Sequence, residues 1–252
     1  MSAGDDVEIM KFVLSGKMHR YTPHDDYLKG ELKRKPAYTS RLDTFLQNKF
    51  MSKIDGIIPI MWEYAESYRN SKFANKLNST IPLPINTKKI QYEKNVLKNK
   101  IVFYHASRRS KYKGSDIIVE AMNIFQNKYP NDVEMIYADF LPLNEYLEVI
   151  SKTNVVIDQC RSYTYGMNAI YSMAKGKIVM SGSEPEALEE LEVTSCPVIN
   201  ITPNVQQMIS QFERILESKQ QIEELSQDSR RFIEEKHDYI MIANRYMESW
   251  QL

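Results

Sequence analysis

The residues with the strongest chemical character stand in two loops. The first, Tyr104-His-Ala-Ser-Arg-Arg-Ser-Lys-Tyr-Lys-Gly114, gathers Arg108, Arg109, Lys111 and Lys113 just before a helix start. Cations packed against a helix N-terminus, whose N–H groups also favour negative charge, are what binding a diphosphate requires. A cation here would offset charge on a departing diphosphate without a metal. Solvated lysines are the plain alternative. The second loop follows Asn154-Val-Val-Ile-Asp-Gln159 and is built of hydroxyl and amide groups up to Gly166.

The elements around the second loop are legible. The β-branched run ending at Asp158 suits a strand buried on both faces. From Gly166 the apolar positions Met167, Ile170, Tyr171 and Ala174 keep helical spacing, Gly176 closes the helix, and Lys177 to Met180 starts another apolar run. Strand, loop, helix and strand make a βαβ crossover. Ligands of such sheets sit at the carboxyl ends of the strands, against helix N-termini. Asp158, Gln159, Ser162, Tyr163, Thr164, Tyr165 and Gly166 therefore fall on the rim of an expected site for a phosphate-bearing ligand.

The same alternation runs through the second half of the chain. Strands are expected at Ile101–His105, Val133–Ala138, Val155–Asp158, Ile178–Ser181 and Val198–Ile201. Helices are expected at Ser115–Lys128, Leu143–Lys152, Tyr165–Lys175, Pro185–Leu191 and Val205–Glu217. Strict alternation predicts a parallel sheet covered on both faces. Two further helices follow, separated near His237, the second carrying Tyr239, Ile242, Ala243, Tyr246 and Trp250 on a stripe that should pack on the front of the chain.

The front reads less regularly. Residues 1–8 are expected to fray and Ile9–Leu14 to form a strand, with His19 and Arg20 in the loop after it, either facing a ligand or solvated. Lys29–Lys35 is a basic cluster, either a solvated surface or a contact for anionic lipid headgroups. Leu42, Phe45, Leu46, Phe50 and Ile54 mark a helix over Tyr38–Lys53. Ile54–Met61 then reads as a strand and Trp62–Leu77 as a helix with Tyr64, Ala65, Tyr68 and Phe73 inward. Ile81-Pro-Leu-Pro-Ile85 cannot be a central strand and begins a connector, dividing the chain into 1–85, 86–235 and a terminal helix 236–252.

Composition narrows the function. Among 252 residues, 33 Lys and Arg balance 33 Asp and Glu, so no overall field holds nucleic acid, and aromatics interleaved with the cations of 94–113 are few. Cys160 and Cys196 show no pairing pattern, the N-terminus is not signal-like, and no zinc spacing occurs; a reducing, cytoplasmic setting is expected. No apolar run reaches the roughly 18 residues of a spanning helix, which leaves peripheral contact with the inner membrane face as the membrane option. The eight glycines fit neither GxGxxG nor the phosphate loop of nucleotide hydrolases.

From Lys100 to about Trp250 the chain resembles the donor-binding half of GT-B glycosyltransferases, in particular the retaining family 4 group. The matching pieces are Arg108 after its strand, Lys113-Gly114 opening a helix, Asn154–Gln159, Tyr165-Gly166, Met173-Ala-Lys-Gly-Lys-Ile-Val179 and the terminal helix pair. The resemblance implies an α/β, Rossmann-like parallel sheet of GT-B type preceded by a partial second α/β domain. It also implies transfer of a sugar, with retention of configuration, from a nucleotide-sugar to a glycan or lipid-linked acceptor, with no metal or other cofactor. Arg108 and Lys113 would stabilise the leaving diphosphate, Arg109 competing with Arg108. His19 or Arg20 would approach the sugar, and Gly114, Asp158, Gln159, Tyr163, Tyr165, Gly166 and Glu184 would surround the donor.

Two departures stand beside that resemblance. The family commonly carries two glutamates where this chain has Tyr163 and Tyr171, and no acid occurs between Asp158 and Glu184. Either other groups, Glu184 and Glu186 among them, bind the donor, or the chain is a weakly active or inactive binding subunit. The front is also about half of a complete acceptor domain, which a truncated chain, a compact domain or a partner subunit would explain.

Overall fold

The computed structural model describes residues 1–18, 20–32, 36–106, 110–138 and 141–250. Five parallel strands, β1 (Ile101–Ala106), β2 (Val133–Ala138), β3 (Val155–Ile157), β4 (Ile178–Ser181) and β5 (Ile199–Asn200), form one sheet in the order β2-β1-β3-β4-β5. Phe103 pairs with Met135 and Val155, and Val156 with Val179. Side chains alternate between the faces of a strand, so β1, β3 and β4 each feed two cores. Phe103, Val155, Ile157 and Met180 enter one core with Ile118, Phe125 and Phe212, while Tyr104, Val156 and Val179 enter the other with Ile170, Met173 and Phe232.

The covering helices are α5 (Ser110–Lys113), α6 (Ser115–Lys128), α7 (Leu143–Lys152), α8 (Met167–Ala174), α9 (Pro185–Glu190), α10 (Val205–Glu217), α11 (Ile222–Lys236) and α12 (Tyr239–Trp250). Three of them keep both sequence-expected ends, because the periodic stripe that defines each one also sets what it buries on the sheet.

The front departs from expectation. Ile9–Leu14 belongs to a helix, α1 (Val7–Leu14), whose Val7, Ile9, Met10, Phe12 and Val13 are buried. Asp6 caps it, accepting the Glu8 and Ile9 amides at 2.9 and 3.1 Å. A short apolar run fits either period, and here the cap and a two-sided burial select the helix. The first residues are held too: the Ser2 amide donates to the Ile58 carbonyl at 2.7 Å. Residues 54–61 are extended but form only single bridges, Ser2 with Pro59 and Ile57 with Leu77. Pro59 has no N–H to continue a ladder. Among the described residues the front thus contains no strand, and the expected partial α/β unit is an assembly of α1, α2 (Asp25–Leu28), α3 (Arg41–Met51) and α4 (Trp62–Arg69).

Helix α3 falls within the expected stretch, and its apolar stripe faces away from the core. Its Ser40–Asp43 capping box is complete. Gln47 accepts the Val7 amide at 2.8 Å and Met51 is buried, while Leu42, Phe45, Leu46 and Phe50 face outward. On α4, Ala65 and Tyr68 are buried as expected, with Phe73 beyond it. Helix α12 buries Ile242 with Ile58 and Ile81 of the front, but Trp250 is 74% exposed, so its aromatic stripe is only partly covered. His237, between α11 and α12, donates from Nδ1 to the Leu83 carbonyl at 2.8 Å and accepts the Tyr165 hydroxyl on Nε2 at 3.1 Å. This neutral tautomer ties connector, terminal helices and sheet into one body.

Candidate functional site

A cavity of about 220 Å³ lies between the front helices and the carboxyl ends of the strands. Ile9, Phe12 and Val13 of α1 make its apolar wall, and Lys113, Gln159, Ser162 and Gly166 lie on the sheet side. Lys113 and the start of α8 therefore share one hollow. Crossing from β1 through α5 brings Lys113 to the end of β3, because β1 and β3 are neighbours in the sheet. There its ammonium donates to Asp158 at 2.8 Å and to the Ala106 carbonyl at 3.3 Å. Asp158, whose side chain is 3% exposed, also accepts the Asn168 amide at 3.0 Å. No side chain caps the first turn of α8, so its amides remain available to an anion beside Lys113.

Gly114 has a structural task at this point. Its φ of +74° is left-handed, and a Cβ there would stand 2.5 Å from the Cys160 sulfur. The Cys160 amide donates to the Lys113 carbonyl at 2.9 Å, which fixes the two loops against each other. Burial pushes the Cys160 thiol up to about 12, so it stays an inert packing group. Behind the turn, His105 donates from Nδ1 to the Ile157 carbonyl and accepts the Ser115 hydroxyl on Nε2, both at 2.8 Å. Burial lowers its pKa to about 4 and keeps it neutral.

The second loop owes its shape to Glu63, a residue that no motif in the sequence marks out. Its carboxylate accepts the Ser162 hydroxyl at 2.5 Å, the Tyr163 amide at 2.8 Å, the Thr164 amide at 3.0 Å and the Thr164 hydroxyl at 2.7 Å. Glu63 sits in the first turn of α4 and borders the cavity. An acid supplied by the front half thus enters the loop that lacks one of its own. An acidic residue beside a tryptophan at a helix start was the available signal, but its partners lie about 100 residues away.

No family model and no curated protein matches the chain. Solved structures do resemble it. HepE of Anabaena, in complex with UDP and glucose, is 15% identical over 86% of this chain and 69% of its own, with a TM-score of 0.63. Sucrose-phosphate synthase of Thermosynechococcus elongatus is 16% identical over 89% of this chain and 65% of its own, also at 0.63. A glycosyltransferase from Rickettsia africae is 12% identical over 100% of this chain and 83% of its own, at 0.58. The chain thus spans about two thirds of the first two. It has the GT-B glycosyltransferase fold.

On this GT-B frame the residues singled out from sequence separate into three groups. Lys113, Gln159, Ser162 and Gly166 border the cavity, with Asp158 directly behind Lys113. Arg108, Arg109 and His19 lie outside the described residues. The others are taken up by packing. Tyr165 turns into the core, 2% exposed, against Phe232 and His237, and Tyr171 packs near Tyr146. Tyr163 stacks on Trp62 at 4.5 Å, touches Tyr21 and lies under the Arg20 guanidinium. Glu184 accepts the Tyr21 hydroxyl at 2.5 Å and the Asn200 amide at 3.1 Å, and pairs with Arg20 at 3.0 Å, while Arg20 also grips Glu186 with two bonds of 2.9 Å. These contacts fasten the front half to the GT-B sheet domain. Asp26 adds a buried pair with Arg161 at 2.5 Å. Among the described residues no group of three or more His, Cys, Asp or Glu side chains stands ready for a metal, and no helix is long and apolar enough to cross a membrane.

Proposed function

We propose that this chain is a glycosyltransferase that places the diphosphate of a nucleotide-sugar between Lys113 and the N-terminus of α8, and passes the sugar to a glycan or lipid-linked acceptor with retention of configuration. The observation that carries the reading is the single cavity bordered by both Lys113 and Gly166. The bond from the anomeric carbon to the diphosphate would break as a bond to an acceptor hydroxyl forms. The Lys113 ammonium and the first-turn amides of α8 would offset the charge left on the diphosphate. Arg108 would add to this in the resemblance, and the role falls to fixed cations and amides. Retention and the acceptor class rest on the family resemblance of the motifs between Arg108 and Val179. HepE, of the same fold, is described with UDP and glucose, which makes UDP the first ligand to try.

At about 220 Å³ the cavity is smaller than the roughly 300 Å³ at which pockets begin to enclose drug-sized ligands. The donor would therefore be only partly enclosed, its nucleoside reaching past the cavity. Titration calorimetry with UDP and GDP tests the site. Binding is expected for one of them, weakened at least about tenfold, or roughly 1.4 kcal/mol, by Lys113→Met. Undiminished affinity in that variant would remove Lys113 from the site. A turnover assay over a panel of nucleotide-sugars separates an enzyme from a subunit that binds without transfer.

A further inference from the structure

Helix α3 is amphipathic the wrong way round for a helix of a closed domain. Its polar positions Asp43, Thr44, Gln47 and Asn48 are the half-buried ones, and Gln47 binds the amide of Val7 and the hydroxyl of Tyr68. Leu42, Phe45, Leu46 and Phe50, at i, i+3, i+4 and i+8, stand 64, 62, 54 and 61% exposed. Surface helices normally turn such a stripe to the core. Here the capping box and Gln47 hold the stripe outward, so its exposure is built into the fold.

The charges around the stripe indicate what covers it. Arg41, Lys49 and Lys53 are exposed, and none has an ion-pair partner among the described residues. Lys49 lies within the stripe, one turn from Phe45 and Leu46. Asp43, the helix's acid, is turned back into the cap. The stretch 29–53 carries seven Lys and Arg against two acids, in a chain whose net charge is zero. Protein interfaces are depleted in lysine at their cores. A lipid surface accepts this pattern, because Phe and Leu enter the acyl boundary while lysine stems bend back toward anionic headgroups. We infer that α3 docks this protein on an anionic membrane surface, with Phe45 and Phe50 inserted and Arg41 and Lys49 at the phosphates. The inference is independent of the proposed donor site.

The test uses the full chain and extruded vesicles of phosphatidylcholine, with and without phosphatidylglycerol, read by co-sedimentation. Expected are binding to the anionic vesicles at least about tenfold tighter than to the neutral ones, and its weakening by added salt. Phe45→Gln with Phe50→Gln should reduce that binding at least about tenfold, and Arg41→Gln with Lys49→Gln should erase most of the preference for anionic lipid. All four side chains are exposed, so the thermal transition should not move, which a melting curve checks. Absent binding, or equal binding to both vesicle types, would overturn the inference. So would a wild-type dimer in sedimentation equilibrium that the double phenylalanine variant dissociates, since a second copy would then be the cover.

Discussion

Glu63 and Thr164 lie in different halves of the chain and are joined twice, the Thr164 amide donating to Oε1 at 3.0 Å and its hydroxyl to Oε2 at 2.7 Å. With the bonds from the Ser162 hydroxyl and the Tyr163 amide, four donors of this turn are directed at one buried carboxylate. Glu63→Ala would leave those donors buried without an acceptor. Hydrogen bonds to a charged group contribute about 1.5–3 kcal/mol each, so a loss of at least about 3 kcal/mol is expected. For a chain of this size that lowers the melting temperature by roughly 6–12 °C. Glu63→Gln keeps one acceptor and should lose less. Equal melting curves for wild type and the alanine variant would contradict the assignment.

Lys113 and Asp158 should separate folding from binding. Lys113→Met strands the buried Asp158 carboxylate, and breaking a buried pair costs about 3–5 kcal/mol. Adding Asp158→Asn is expected to restore most of that stability and none of the UDP affinity, by denaturant unfolding and calorimetry on the same samples. Recovery of affinity in the double variant would show that the loss came through folding.

His105 and His237 make stability depend on pH in a stated direction. Burial lowers both to about 4 in the folded chain, against about 6.5 when unfolded. Between those values the unfolded state binds more protons, so stability rises with pH. It is fully present above about pH 6.5 and is lost as pH falls toward 4, by on the order of 3 kcal/mol for each histidine. Urea unfolding at pH 7.5, 6 and 5 should show the decline, and His237→Gln should flatten it. A slope unchanged in that variant would assign the loss to carboxylates.

Gly182 lies so close to the second loop that a Cβ would stand 1.8 Å from the Ser162 carbonyl oxygen, a backbone atom that cannot turn aside. Gly182→Ala should cost about 3 kcal/mol or more, at or beyond the usual range for overpacking. Gly4→Ala, with nothing within 4 Å, should be silent in the same melting experiment. Comparable melting of the two variants would mean the loop gives way.

Local pattern carried the sheet domain. Ser115–Lys128, Leu143–Lys152 and Val205–Glu217 begin and end where their apolar stripes do, because each stripe both defines the helix and meets the sheet beneath it. That Lys113 and the start of α8 come together was also legible, since the order of parallel strands constrains which loops can be neighbours. Ile9–Leu14 is six apolar-rich residues that fit two periods, and the choice between them is made by Asp6 and by what α1 packs against. The stripe on α3 named the residues that share a face but not what that face meets. Glu63, and the contacts that draw Tyr163 and Glu184 into the junction, were hidden for the same reason. Periodicity is a property of a few successive turns, whereas the partner of a side chain is set by where the fold brings a distant segment, and that only the tertiary structure decided.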